Sequence, residues 1–206
     1  MRRLFGRTGV AIAALLAVAG PADAHIVAAR LGDFYAGALH PLTDLQDLVL
    51  WTALGLLAGS LGAAQGRWLV LVLPLGLLAG LFLGPAFGAG ALGPLANAGM
   101  MVGLGLLLAA GIRIGTAPLC AIALGLALVR GAVNADGIGP ETNRLLFAAG
   151  LACAGYAAIT LTMALTLAFR RPDAGPSAAW RGIAIRACGS WIAAIGLMMG
   201  GFALAT

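Results

Sequence analysis

Three ionisable side chains, His40, Asp44 and Asp47, lie within eight residues that lead into a long apolar run. On a single helix their spacing would place all three on one face, because each residue advances by about 100°. Imidazole and carboxylate groups bind first-row divalent metal ions, and ionisable groups at membrane depth are costly unless they are used. The stretch therefore predicts a cation site at the mouth of a membrane pathway. Alternatively, the two acids only stabilise a first helical turn that Pro41 would begin.

The N-terminus has the three parts of a secretory signal peptide. Basic residues come first, the apolar segment 9–20 follows, and Ala22-Asp23-Ala24 supplies the small residues that signal peptidase requires. Cleavage after Ala24 would leave His25 as the mature N-terminus, with a free amine beside an imidazole that could chelate a soft divalent ion. We therefore expect residues 1–24 to be a signal peptide, residues 25–206 to form the membrane domain, and His25 to be a fourth candidate metal ligand.

The composition is typical of a membrane protein. Apolar residues make up 62% of the chain and charged residues 9%, whereas a soluble domain has about 25% charged residues. The 32 glycines lie within apolar runs, where small residues allow membrane helices to pack closely. The twelve basic residues, all arginine, are scattered at the ends of these runs, which is a pattern that orients helices and does not indicate nucleic-acid binding.

Six apolar runs are close to the roughly 20 residues that cross a bilayer, and we predict an all-α bundle of about six transmembrane helices. The runs are residues 46–64, 68–87, 92–111, 114–131, 145–169 and 182–205. With the mature N-terminus in the periplasm, Arg67, Arg113 and the group at 170–181 would be cytoplasmic, and Arg130 and Arg144 would lie outside. This bias agrees with the positive-inside rule and predicts a multi-pass protein of the bacterial inner membrane.

The residues HPLTDLQDL, the signal peptide that ends before His25, and the six Gly- and Ala-rich spans resemble the HupE/UreJ family of proposed nickel and cobalt permeases. The resemblance implies that Ni²⁺ or Co²⁺ is transported as a substrate, with no bound cofactor. The family's usual motif here is His-Pro-Leu-Thr-Gly-Leu-Asp-His, in which the first His and the final Asp-His pair are metal-site residues. His40 matches the first position, whereas Asp44, Gln46 and Asp47 replace the family's Gly, Asp and second His.

A second motif of the family, Phe-His-Gly-His-Ala-His-Gly, follows its fourth span, and the corresponding residues 129–135 contain no histidine here. Arg130 stands in this segment, and a guanidinium has no lone pair for a metal ion. An ion pair between Arg130 and Asp44 or Asp47 would satisfy buried charges without a ligand. The two acids could instead form an altered cation site.

Three functions remain open. The first is a permease for a divalent transition metal, with His40, Asp44 and Asp47 lining the outer entrance, together with Gln46 and Asn134. The second is a non-transporting membrane subunit that anchors or organises membrane-protein partners. The third is a carrier for an anion or a neutral solute, with Arg130 as the binding cation. We expect no enzyme, because the sequence has no phosphate-binding loop, no nucleophile constellation and no HExxH motif.

Overall fold

A computed structural model describes residues 32–87, 93–170 and 179–205, and these residues form helices joined by short connections. We number the helices in chain order as α1 (Asp33–Thr43), α2 (Leu45–Leu61), α3 (Ala63–Gly66), α4 (Leu69–Phe87), α5 (Gly93–Ala110), α6 (Thr116–Ala135), α7 (Arg144–Phe169) and α8 (Ala179–Ala205). The predicted all-α bundle is confirmed for this part of the chain. The proposed signal peptide and His25 lie outside the described residues.

The helix is interrupted at Asp44, between α1 and α2. The prediction of one continuous helix through His40, Asp44 and Asp47 is therefore wrong. Asp44 has an extended backbone, with φ −88° and ψ 108°, and its carboxylate accepts a 2.8 Å hydrogen bond from the amide of Gln46. It is therefore the N-cap of α2, a position that favours aspartate. Pro41 lies in the last turns of α1 and does not begin α2. The three side chains thus belong to two helices and a cap.

Glycines set the closest contacts between helices. A Cβ on Gly80 of α4 would overlap the carbonyl oxygen of Leu128 in α6, and a Cβ on Gly131 of α6 would overlap that of Leu77 in α4. The α5–α8 and α1–α7 contacts are built in the same way. Close approach at small residues allows van der Waals packing to hold membrane helices together. The predicted role of the glycines in helix packing is confirmed at these contacts.

Helix α2 lies at the centre of the bundle. It packs against α7 and α5 and also contacts α1, α6 and α8. Its buried residues, which include Leu50, Trp51 and Leu54, cover most of its circumference, and the remaining side is partly buried. A helix that is apolar all round belongs in the interior of a bundle. The position of α2 explains how polar groups at its N-terminus come to be enclosed by neighbouring helices.

Four helical segments are long and apolar enough to cross a bilayer: Ala63–Gly84, Thr116–Ala135, Arg144–Phe169 and Trp180–Ala205. Two further apolar helices are shorter, Leu45–Leu61 and Pro94–Ala110. These six segments coincide in position with the six predicted spans. Large apolar side chains such as Trp191, Leu197 and Phe202 on α8 are exposed on the outside of the bundle, as expected for a surface that faces lipid. The protein is a multi-pass membrane protein.

Candidate functional site

Helix α6 continues to Ala135 and so places Arg130 inside the bundle. The corresponding span was predicted to end at residue 131, with Arg130 in the outer connection, and this assignment of Arg130 is wrong. Both Arg130 and Asn134, one turn later, face the interior, with exposures of 0% and 1%. A fully buried arginine needs anionic or polar partners, because an unpaired charge in such a place is very costly.

Arg130 contacts three acceptors at the start of α2. Its Nε donates to Oδ1 of Asp47 at 2.6 Å, its Nη2 donates to Oδ2 of Asp44, and its Nη1 donates to Oε1 of Gln46 at 3.3 Å. Both carboxylates form salt bridges with the guanidinium. The planar, five-donor guanidinium suits this task, because it can bind several acceptors at once. The ion pair predicted between Arg130 and the two acids is confirmed.

Two asparagines extend these contacts into a network of six residues. Asn134 donates to Oδ2 of Asp47 at 2.8 Å and to the carbonyl oxygen of Arg130 at 2.8 Å. Asn97 of α5 donates to Oε1 of Gln46 at 2.5 Å. We call Asp44, Gln46, Asp47, Asn97, Arg130 and Asn134 the Arg130 network. It connects α2, α5 and α6 at one end of the bundle.

The formal charges of the Arg130 network do not cancel. Two carboxylates share one guanidinium, which leaves one formal negative charge in excess. The Asp47 side chain is fully buried, whereas that of Asp44 is 32% exposed. Asp44 is therefore the one charged group of the Arg130 network that is partly exposed at this end of the bundle. Two amide oxygens, Oδ1 of Asn97 and Oδ1 of Asn134, are buried without a hydrogen-bond partner among the described residues.

His40 lies at the same end, on α1. Its ring centroid is 5.9 Å from that of Phe147 in α7, and a Cβ on Gly137 would lie 3.0 Å from its Nε2. His40 thus packs beside the connection that follows Asn134. In the described ranges, no three or more His, Cys, Asp or Glu side chains are grouped so that they could hold a metal ion. Asp44 and Asp47 thus both form salt bridges with Arg130. His40 instead packs against α7 and the connection after α6.

The link between Gln46 and Asn97 was not anticipated from the sequence, because the two residues are 51 positions apart and lie on different helices. Trp51, one turn after Asp47 on α2, was also not singled out from the sequence. Trp51 is 1% exposed, and its indole N–H has no partner in the described part of the chain. Its spacing of four residues from Asp47 could have indicated that the two side chains share a helix face, since residues at i and i+4 are neighbours on a helix surface.

The fold and the Arg130 network define a polytopic α-helical membrane protein with a buried ionic network at one end. Residues 13–199 match the family model described as HupE / UreJ protein. The chain belongs to the HupE/UreJ family. No curated protein and no solved structure matches the chain.

Proposed function

We propose that this protein is a secondary permease of the inner membrane that transports a divalent transition-metal ion, Ni²⁺ or Co²⁺. The observation behind this proposal is the excess negative charge of the Arg130 network, in which two carboxylates face one guanidinium. Intramembrane ionisable groups usually belong to an ion pathway. The proposed topology has six spans, with the mature N-terminus in the periplasm and the Arg130 network at the periplasmic end.

Asp44 is the proposed first contact for the ion. Its side chain is partly exposed, and the imidazole of His40 lies at the same end of the bundle. A carboxylate, an imidazole and the free amide oxygens of Asn97 and Asn134 are donors that divalent first-row ions accept. Binding of a cation would compensate the excess negative charge of the Arg130 network. His25, at the proposed mature N-terminus, would be an additional ligand at the same membrane surface.

Arg130 has a defined part in this proposal. A site with two free carboxylates would hold a divalent ion tightly, whereas conduction requires an ion that can also leave. The guanidinium occupies one oxygen of each carboxylate and so weakens the site. We therefore assign Arg130 the role of an internal counter-ion that keeps ion binding reversible.

A second candidate function is supported by a different observation. Both acids are already paired with Arg130, and Asp47 has both carboxylate oxygens engaged. A network of this kind can also be purely structural, in which case the protein would be a membrane subunit without transport activity. This candidate predicts that the network is insensitive to metal ions.

The test is uptake of Ni²⁺ and Co²⁺ by proteoliposomes that contain the purified protein. Asp44→Asn removes the excess charge but keeps the start of α2, because asparagine is as good an N-cap as aspartate. We expect uptake to fall by roughly tenfold or more, since a unit charge about 4 Å away is worth several kcal/mol at an effective dielectric constant near 20. Asp136→Asn is the matched control, because Asp136 is an exposed acid just after α6, outside the network.

A double-mutant cycle on thermal stability in detergent separates the two candidates. Under the permease proposal, Ni²⁺ or Co²⁺ stabilises the protein, Arg130→Ala strengthens that metal effect, and His40→Ala weakens it. Coupling between Arg130 and the acids that does not depend on metal, together with no uptake and no stabilisation by these ions, would leave the structural subunit as the function.

A further inference from the structure

A basic cavity lies at the end of the bundle opposite the Arg130 network. It has a volume of about 240 Å³ and is bordered by the C-terminal ends of α2 and α5, the end of α7 and the first turns of α8. Three arginines line it, Arg113, Arg170 and Arg186, and no acidic residue in the described part of the chain does. We call this cavity the basic cleft.

Contacts with the backbone fix two of the three arginines, and neither arginine forms an ion pair with another described residue. Arg186 donates from Nε to the carbonyl oxygen of Ala109 at 2.7 Å, and Arg170 donates to the carbonyl oxygen of Ser60. These carbonyls lie in the last turns of α5 and α2, where they have no helical partner. Arg113 has no hydrogen-bond or ion-pair partner within residues 32–87, 93–170 and 179–205. The three arginines therefore border one cavity, and no acidic residue of the described ranges borders it with them.

The basic cleft adjoins an apolar groove between α5 and α6. The groove has a volume of about 500 Å³ and is lined by residues such as Met100, Leu104 and Ile122. Leu107 lines both the groove and the cleft. Two glycines keep the groove open, because a Cβ on Gly103 or Gly125 would meet no atom within 4 Å. Arg113 lies in the connection that joins the two helices, at the same end as the cleft.

We propose that the cleft and the groove together bind one anionic phospholipid, with its phosphate among the three arginines and an acyl chain between α5 and α6. Guanidinium groups bind phosphate through charge-assisted hydrogen bonds, and basic pockets between membrane helices bind anionic headgroups. A free phosphate ion would use the cleft alone, so the continuous groove favours a lipid. A zwitterionic lipid would bring an ammonium group next to the arginines. This assignment does not depend on the transport proposal.

The experiment measures the thermal stability of the full-length protein in detergent during titration with phosphatidylglycerol. Arg113→Gln breaks no contact between described residues, so its folding should be unaffected. We expect it to weaken the apparent lipid affinity about fivefold, since one basic residue near an anionic surface is worth about 1 kcal/mol. Arg113→Gln combined with Arg186→Gln should weaken it about 30-fold. Arg67→Gln is the matched control, because Arg67 lies at the same end but stacks 5.3 Å from the ring of Trp68, outside the cleft.

Filling the groove tests the lipid tail separately. Without lipid, Gly125→Leu should leave the thermal midpoint of unfolding unchanged, because the new side chain enters the open groove. It should weaken the stabilisation by phosphatidylglycerol. Inorganic phosphate and phosphatidylcholine are the comparison ligands, and we expect both to stabilise the protein far less. Equal stabilisation by inorganic phosphate, with no effect of Gly125→Leu, would replace the lipid by a free phosphate. Equal stabilisation by phosphatidylcholine, or an equal loss in Arg67→Gln, would overturn the proposal.

Discussion

Arg130 is the central residue of the Arg130 network. It contacts side chains that precede it by 83, 84 and 86 residues, and no other cation lies in the Arg130 network. Removing one partner of a buried ion pair leaves an uncompensated charge, which typically costs about 3–5 kcal/mol. The geometry of the guanidinium matters as much as its charge, because three of its nitrogens bind three different acceptors.

Replacement of Arg130 by lysine should separate geometry from charge. An ammonium on a flexible stem keeps the charge but cannot reproduce a planar fork with three fixed donors. We expect Arg130→Lys to destabilise the protein by about 1–3 kcal/mol, the usual cost of leaving a buried polar group unsatisfied. Thermal or denaturant unfolding in detergent measures this loss. Arg144→Lys, at an exposed arginine near the same end, should stay within about 0.5 kcal/mol. Equal effects of the two substitutions would contradict the importance of geometry.

The pairing of Arg130 with Asp44 or Asp47 was one of two alternatives from the sequence, and it came from the resemblance, because these residues replace or adjoin the metal-site residues of the family's motifs. The roles of Gln46 and Asn97 were not accessible in the same way. An amide side chain has no charge that restricts its partners, so its hydrogen bonds depend on which helices become neighbours. The metal-site role of His40, Asp44, Asp47 and His25 stays a prediction.

At the scale of helices, the apolar runs located every long helix, because a bilayer demands about 20 apolar residues in a row. They did not reveal the break at Asp44 or the extra turn of α6. Both features depend on polar residues that a hydropathy pattern scores as membrane ends. The side chain of Asp44 caps α2, and that of Asn134, in the extra turn of α6, donates a hydrogen bond to Asp47.

The α4–α6 contact gives a test of helix packing that is independent of the ionic residues. Gly131→Ala places a methyl group on the carbonyl oxygen of Leu77, and forcing extra atoms into a packed interface costs about 1–3 kcal/mol. Gly103→Ala is the matched control, since a Cβ there meets nothing within 4 Å. We expect the thermal midpoint to fall for Gly131→Ala and to stay level or rise slightly for Gly103→Ala, because alanine favours helix. A stable Gly131→Ala protein would refute the close contact.

At the scale of the whole molecule, the two ends of the bundle differ in charge. The end with the Arg130 network has exposed acids, Asp136 and Glu141, whereas the opposite end has the arginines of the basic cleft. Basic residues in short connections favour the cytoplasm, and acids have little influence. Because Arg130 lies inside α6, the proposed periplasmic connections contain one basic residue fewer than predicted, which strengthens this bias.

Reporter fusions test this orientation directly. A reporter that is active only in the periplasm should work when fused after residue 137 or after Thr206, and it should be inactive when fused after Pro172. A reporter that is active only in the cytoplasm should give the opposite pattern at the same three positions. Activity of the periplasmic reporter at Pro172 alone would reverse the proposed topology and move the basic cleft to the periplasmic surface.

The order of the Arg130 network along the chain has a consequence for biogenesis. Asp47 precedes Arg130 by 83 residues, which corresponds to roughly 4–17 s of translation at 5–20 residues per second. The two acids are therefore synthesised and inserted first, and α6 later brings an arginine to a waiting counter-charge. We expect this order to ease the insertion of α6, because the guanidinium can move from the headgroup region to an anionic partner instead of to bare hydrocarbon. Assembly of the polar end thus depends on synthesis of the first half of the bundle before the second.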